Sequence, residues 1–310
     1  MFRRQPLVCP ILMMYSTFYS LQAPALRCRG NAFPFPIKTG TPERQGVRPV
    51  RLTFSAVGVY HPDRCFHQGV SFMTLWSDFV SNESHIINKW THYFPAYEKH
   101  FQRYVNRPMV FWEIGCGKGG SLQMWKKYFG PLAQIVGFDI RPECANYAEN
   151  QIAIRIGDQS DAAFLQKALD EFGTPDVVLD DGSHIMSHVV ATFRYLYPRI
   201  DRAGVYMVED LHTAYWADGF EGGLKKPGTF IELCKDLIDE LNAEHTKGAL
   251  EPTAFTKSTL SMHFYDSIVA FEKGPHAKPF NAVTGQDPFA IGVVKSVARA
   301  AGLIHDRNDP

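Results

Sequence analysis

The chain has 310 residues, 45% of them hydrophobic and 21% charged, the balance of an ordinary globular protein with room for a full core. Lysine plus arginine and aspartate plus glutamate both number 32, so the formal net charge is zero, which excludes a nucleic-acid binder that relies on a strong basic field. The cysteines, Cys9, Cys28, Cys65, Cys116, Cys144 and Cys234, form no C-x-x-C pair, which argues against a structural zinc site and for a reducing, cytoplasmic compartment.

Residues 1–70 differ from the rest. Met1-Phe2-Arg3-Arg4 is basic and Pro6 to Leu21 largely apolar, a loose likeness to a secretory signal that Pro10 and Tyr15-Ser16-Thr17 interrupt. No stretch of the sequence is long and apolar enough to span a bilayer, so no membrane partner is expected. Prolines and glycines then recur without periodicity, as in Asn31 to Pro36 and Gly40 to Pro42. This part reads as a poorly ordered or irregular extension, with Met73 an alternative start.

From there to residue 275 the pattern is that of one domain. Phe72, Leu75, Trp76, Phe79 and Val80, then Trp90, Tyr93, Phe94, Tyr97 and Phe101, have helical spacing and predict helices over a sheet or over the mouth of a site. Strands are expected at 109–114, 135–140, 152–156, 176–180 and 204–208, alternating with helices at 121–129, 142–150 and 161–172 and with one starting at Ser183 or His184. A further amphipathic helix is expected at 229–243, and two β-rich runs, Leu260 to Tyr265 and Ser267 to Phe271, adjoin without a helix between them. The fold class is therefore α/β: a doubly wound, mostly parallel, Rossmann-like sheet with antiparallel closing strands. Residues 276–310 read as a tail with a short helix at 293–301.

The chemistry gathers at Pro175-Asp176-Val177-Val178-Leu179-Asp180-Asp181-Gly182-Ser183-His184. The apolar part reads as a strand buried on both faces, which puts the polar cluster at its carboxyl end, where open α/β sheets bind ligands. With His184 in the first turn of a helix, Asp181 and His184 face one point, where a hard metal and a general base can both be supplied. Upstream, Glu113-Ile114-Gly115-Cys116-Gly117-Lys118-Gly119-Gly120 follows the first strand, and Gly115, Gly117 and Gly120 satisfy G-x-G-x-x-G. That spacing fits a dinucleotide, a nucleoside cofactor or a plain strand-to-helix turn. Acidic groups close the later strands: Asp139, Asp158, Asp180-Asp181 and Glu209-Asp210. Such a rim suits a pyrophosphate poorly. It suits a cationic sulfonium cofactor and a divalent metal.

On the motifs EIGCGKGGSLQMWKKYF (113–129), GDQSD (157–161), DDGSH (180–184) and VEDLHTAYW (208–216), the sequence resembles the class I S-adenosylmethionine-dependent methyltransferases. Within them it is similar to the metal-dependent sugar O-methyltransferases of the mycinamicin type, over roughly residues 88–271. The resemblance implies an enzyme of secondary metabolite biosynthesis that uses S-adenosylmethionine and Mg2+. Its partner would be a small-molecule glycoside. A homo-oligomer stays open. It further implies Asp181, Glu209 and Asp210 as magnesium ligands and His184 as catalytic base. Cofactor contacts would come from Glu113, Gly115, Gly117, Asp139, Asp158, Gln159, Ser160 and Asp180. Tyr215 and Trp216 are candidates for stacking on a sugar, and Gly219, Gly222 and Gly223 for a mobile loop beside them. Two rivals are an NAD-dependent dehydrogenase built on the same glycine loop and a non-catalytic cofactor-binding scaffold. The first leaves the metal set without a role, and the second leaves the base and metal set without one.

Overall fold

The computed structural model describes residues 74–282. The expectations for the extension, for Met73 and Phe72, and for a helix at 293–301 lie outside the described residues. Two short helices, α1 (Leu75–Val80) and α2 (Phe94–Phe101), precede the sheet. The alternating part follows as β1 (Met109–Ile114), α3 (Gly120–Phe129), β2 (Ala133–Asp139), β3 (Ile152–Ile156), α4 (Ala162–Phe172), β4 (Val177–Asp180), α5 (Met186–Leu196) and β5 (Val205–Val208). Then come α6 (Phe230–Leu241), α7 (Ala254–Ser258), β6 (Thr259–Tyr265) and β7 (Ile268–Lys273).

The sheet has seven strands in the order β3-β2-β1-β4-β5-β7-β6. The first five pair in parallel, and β7 runs antiparallel between β5 and β6. Successive side chains of a strand alternate between faces, and here both faces are covered, so the strands read as apolar runs. Phe111, Val177, Leu179 and Met207 pack with Tyr97, Trp125 and Phe129 on one side. Trp112, Val178, Tyr206 and Phe271 pack with Leu165, Phe193 and Phe230 on the other. The strand order reverses between β1 and β4, and the crevice at such a switch point, beyond the carboxyl ends of the strands, is where this architecture binds ligands.

Local signals account for the helix starts. Asp161 accepts the N–H of Ala163 and Thr229 that of Glu232, so each side chain satisfies a donor that its helix leaves free. Two helices differ from expectation. The segment after β2 is a 3-10 helix, Pro142–Tyr147, which ends because Glu149 bridges to Ile152 and the chain reverses at Gln151 with φ 75°. The helix expected from Ser183 or His184 begins at Met186. His184 takes a left-handed φ of 56°, which a right-handed helix does not include, so the helix can begin only after it, and Ser183 is left in the loop with its backbone N–H on Gln159 Oε1 at 2.6 Å.

Candidate functional site

The glycine loop and the acidic stretch meet at Gly115. It has φ +86°, and a Cβ there would stand 1.9 Å from the carbonyl oxygen of Asp181, so only glycine lets the β1 loop pass the β4 loop. Beside this crossing lies a cavity of about 420 Å³ lined by Gly115, Asp139, Asp158, Gln159, Asp181 and His188, among others. A larger groove of about 600 Å³ beside α1 and α3, lined by Asp78, Gln123 and Lys127 among others, carries none of the strand-end carboxylates named above.

One end of the cavity is dense in hydrogen bonds. Asp139 accepts from the N–H of Gly117 at 2.9 Å, from the N–H of Arg141 at 3.0 Å, and from the Arg141 guanidinium at 3.1 and 3.2 Å. Burial alone would raise its pKa, but the hydrogen bonds from Arg141 and Gly117 prevail and hold it below the usual carboxylate range. Asp158 accepts from the N–H and Oγ of Ser160, and these bonds hold it low as well. Ser160 therefore faces Asp158. Gln159 is committed inside the protein, donating to Asp180 at 3.1 Å and accepting the Ser183 N–H. Asp180 is buried, and Gln159, the Tyr206 hydroxyl and the Gly182 N–H surround it. Burial pushes its pKa up to about 6. Glu113 lies deeper, fully buried, accepting from Ser121 Oγ at 2.6 Å and Trp125 Nε1 at 3.3 Å, so it stands behind the glycine loop and outside the lining of the cavity.

At the other end the lining reaches Asp181, and His184 and Asp210 stand beside it, the ligand atoms of the three lying within 4.8 Å of one another. His184 Nε2 is 3.7 Å from Asp181 Oδ1 and 3.5 Å from Asp210 Oδ2. Burial lowers the His184 pKa against the opposing pull of Asp210 and Asp180, which favours the neutral imidazole. Asp210 also has a left-handed backbone, with φ 53°. Two facing non-glycine residues in that region are a concentration of backbone strain of the kind found where a site is held ready. Glu209, the third expected ligand, is turned inward. It accepts from Tyr97 Oη at 2.6 Å and from Lys89 Nζ at 3.0 and 3.1 Å, with its side chain 1% exposed. Burial, reinforced by the charge of Asp181, raises its pKa well above the ordinary value. Burial and the neighbouring Asp210 likewise raise Asp181, against the pull of Lys89.

Lys89, Tyr93 and Tyr97 were not among the residues expected from the sequence. Tyr93 closes the short 3-10 turn before α2, Tyr97 stands one helical turn further on, and Lys89 comes from the irregular segment ahead of both. Tyr93 Oη donates to Asp210 Oδ1 at 2.7 Å, beside the Tyr97 bond to Glu209. The aromatic stripe is thus core by its rings and part of the site by its hydroxyls. At the rim, the His212 ring sits between Trp90 and Trp216, with centroid distances of 5.7 and 4.7 Å, and both tryptophans are about half-exposed. The loop at 217–229 is strapped in place. Phe220 accepts the Met186 N–H, Gly223 donates to Ala214, and the Glu221 carboxylate accepts the Ser187 N–H.

Comparison with known proteins finds methyltransferases. No family model matches the chain. Mycinamicin VI 2''-O-methyltransferase of Micromonospora griseorubida is 38% identical over 197 residues, which cover 59% of this chain and 48% of that protein. The 8-demethyl-8-alpha-L-rhamnosyl tetracenomycin-C 2'-O-methyltransferase of Streptomyces olivaceus is 39% identical over 191 residues, 58% of this chain and 50% of that one. The chain thus spans about half the length of the curated relatives it matches. Among solved structures, the MycE methyltransferase of the mycinamycin pathway, in complex with Mg and SAH, has a TM-score of 0.58 and 32% identity, covering 73% of this chain and 59% of that one. Fold, strand order and sequence together identify a class I S-adenosylmethionine-dependent methyltransferase fold that resembles the mycinamicin-type sugar O-methyltransferases.

Proposed function

We propose that this protein transfers a methyl group from S-adenosylmethionine to a sugar hydroxyl of a glycosylated natural product, with Mg2+ as the metal. One observation carries the reading: a single cavity runs from the hydrogen-bonded carboxylates Asp139 and Asp158 to Asp181, beside His184 and Asp210. A nucleoside fits the first end. Its ribose hydroxyls would take Asp139 in place of the half-exposed Arg141 guanidinium, and Gly115 lets the backbone approach closely. When bound there, S-adenosylmethionine supplies the electrophilic methyl group.

The second end fits a hard cation. Asp181 and Asp210 offer carboxylate oxygens close together, the donor type that magnesium takes, and their side chains are partly open to the cleft, 17% and 22% exposed. Glu209 is one bond further in, held by Lys89 and Tyr97, and would join only by turning outward. When bound, a divalent cation lowers the pKa of an acceptor hydroxyl and fixes its position. His184, kept neutral by burial, takes the proton from that hydroxyl at Nε2 as the oxygen attacks the methyl carbon. Asp210 and Asp181 flank the imidazole and stabilise the charge it gains. Trp90 and Trp216 form the wall on which an apolar sugar face would stack, and the strapped loop at 217–229 keeps that wall fixed. The expected setting is a cytoplasmic enzyme of secondary metabolite biosynthesis, and no described helix is long and apolar enough to cross a membrane.

The test is direct. The purified protein is incubated with S-adenosylmethionine, Mg2+ and a panel of glycosylated macrolides and polyketides, and products are read by mass spectrometry. The expected result is a product heavier by one CH2, a methyl in place of the hydroxyl hydrogen, lost on chelation and restored by Mg2+. Tight NAD binding without S-adenosylmethionine binding would overturn the reading in favour of a dehydrogenase. Cofactor binding without turnover on any acceptor would favour a scaffold.

A further inference from the structure

Behind the cleft stands a charged group that the proposed reaction does not use. Lys89 lies between α1 and α2 with its side chain 2% exposed. Its Nζ is 2.6 Å from Asp181 Oδ2, 3.0 and 3.1 Å from the two oxygens of Glu209, and 3.2 Å from Glu113 Oε1. An ammonium has three donors and no acceptor, and here it meets three carboxylates that come from the ends of three different strands. Removing any of these groups from water is expensive unless it is paired. The innermost ones, Glu113 and Glu209, have the neutral donors Ser121, Trp125 and Tyr97 but no other cation within ion-pair distance among the described residues. Three carboxylates, Glu113, Asp181 and Glu209, thus face a single lysine, and Asp210 stands next to them against His184.

We propose that Lys89 is the resident cation of this site, a positioning residue that keeps Glu113 and Glu209 folded inward and grips Asp181 by Oδ2, leaving Asp181 Oδ1 and Asp210 Oδ2 facing the cleft. The last clause deepens the metal reading above and rests on it. The rest stands on the ion-pair geometry alone. Three carboxylates within 3.2 Å of Nζ give the buried ammonium its partners. In this arrangement the negative charge is divided in two. The inner part has a built-in counter-charge, so the fold does not depend on a bound metal. The outer part is left for an exchangeable cation.

The test is a thermal double-mutant cycle in excess chelator, repeated with Mg2+, on the full chain with Lys89→Met, Glu113→Gln and the pair combined. Loss of one partner of a buried ion pair should lower the chelated melting temperature of Lys89→Met by about 6–20 °C. Glu113→Gln should lower it in the parent, by removing a partner of Lys89, and raise it in the Lys89→Met background, by removing an unbalanced charge. That reversal of sign is what a merely packing role would not produce. Mg2+ should stabilise Lys89→Met by more degrees than the parent. The proposal is overturned if Glu113→Gln lowers the melting temperature in both backgrounds, or if Lys89→Met melts like the parent. Should Lys89→Met not be recovered folded, a folded double variant supports the proposal. An unfolded double variant beside a folded Glu113→Gln overturns it. The chelated arm needs neither metal nor methyl acceptor, so absence of a Mg2+ effect in the parent would strike the metal reading and leave the assignment of Lys89 to be decided separately.

Discussion

The two ends of the cavity are built from the same residue type at equivalent positions, yet their electrostatics are opposite. At the β2 and β3 ends, Asp139 and Asp158 are held below the usual carboxylate range by backbone and side-chain donors. At the β4 and β5 ends, Asp180, Asp181 and Glu209 are all pushed above it: burial outweighs the donors they have, reinforced at Asp181 and Glu209 by neighbouring carboxylates. A carboxylate that is already satisfied is a good partner for neutral hydroxyls, which exchange one hydrogen bond for another. A group of carboxylates that is short of positive charge is a binding site for a cation. The sheet presents both at the carboxyl ends of its parallel strands, on either side of the switch point between β1 and β4.

The largest expected effect breaks the second end without touching the first. His184→Ala should slow methyl transfer about 10²–10⁴-fold, the range of general base catalysis, while calorimetry finds S-adenosylmethionine binding unchanged. Single-turnover rates at saturating cofactor are the measurement. A variant as fast as the parent would remove His184 from the chemistry.

A crossed pair sharpens the comparison. Asp139→Ala should weaken S-adenosylmethionine binding about tenfold or more, since a hydrogen bond to a charged group contributes about 1.5–3 kcal/mol, and should leave Mn2+ or Mg2+ binding intact. Asp181→Asn should do the reverse. If each variant loses both ligands, the two ends form one cooperative site. Gly115→Ala then tests the joint between them. The methyl group would collide with the Asp181 carbonyl and force alanine to a φ of +86°, so both affinities should fall together and the melting temperature with them. Strain of about 1–3 kcal/mol corresponds to a loss of roughly 2–12 °C in a domain of this size. Normal cofactor affinity in that variant would show that the crossing is looser than it looks.

Much of this was legible from local pattern. Met109–Ile114 and Ile152–Ile156 were read to the residue, because each is a short apolar run bounded by turn residues. The antiparallel closing pair was legible because two β-rich runs adjoin with too few residues between them for a crossover helix. What escaped was non-local. Lys89 meets Asp181 and Glu209 across 92 and 120 residues of sequence, and nothing around it marks it as more than a loop charge. The spacing of Tyr93 and Tyr97 predicts buried rings, and hydroxyls four apart across a helix start are also a usable signal for neighbouring polar targets, here Asp210 and Glu209. The left-handed backbone of His184 is not legible locally, and its neighbour Ser183 is bonded to Gln159 in the loop after β3. Gln159, expected at the cofactor, lines the cavity, and what its sequence position does not show is that its amide is bonded to Asp180, Ser183 and Thr192.

The smallest expected effect supplies a control away from both ends. Glu272 on β7 lies against His100 Nδ1 at 2.5 Å and Arg103 Nη1 at 2.6 Å, so it is well supplied with donors, like Asp139. Burial would raise its pKa, but the hydrogen bond from His100 and the charges of Arg103 and His100 prevail and hold it below the ordinary glutamate value. A carboxyl whose folded pKa is depressed adds stability that is fully present above the unfolded value and is lost as the pH falls through the folded one. Glu272→Gln should therefore cost about 1 kcal/mol at neutral pH, a few degrees in melting temperature, and the gap to the parent should close as the solution is acidified below the ordinary glutamate range. Cofactor and metal affinity should not move. A gap that persists unchanged into acid would mean that the side chain acts by packing. A loss of cofactor binding would mean that a satisfied carboxylate anywhere on this sheet can perturb the cavity, and the contrast between its two ends would lose its meaning.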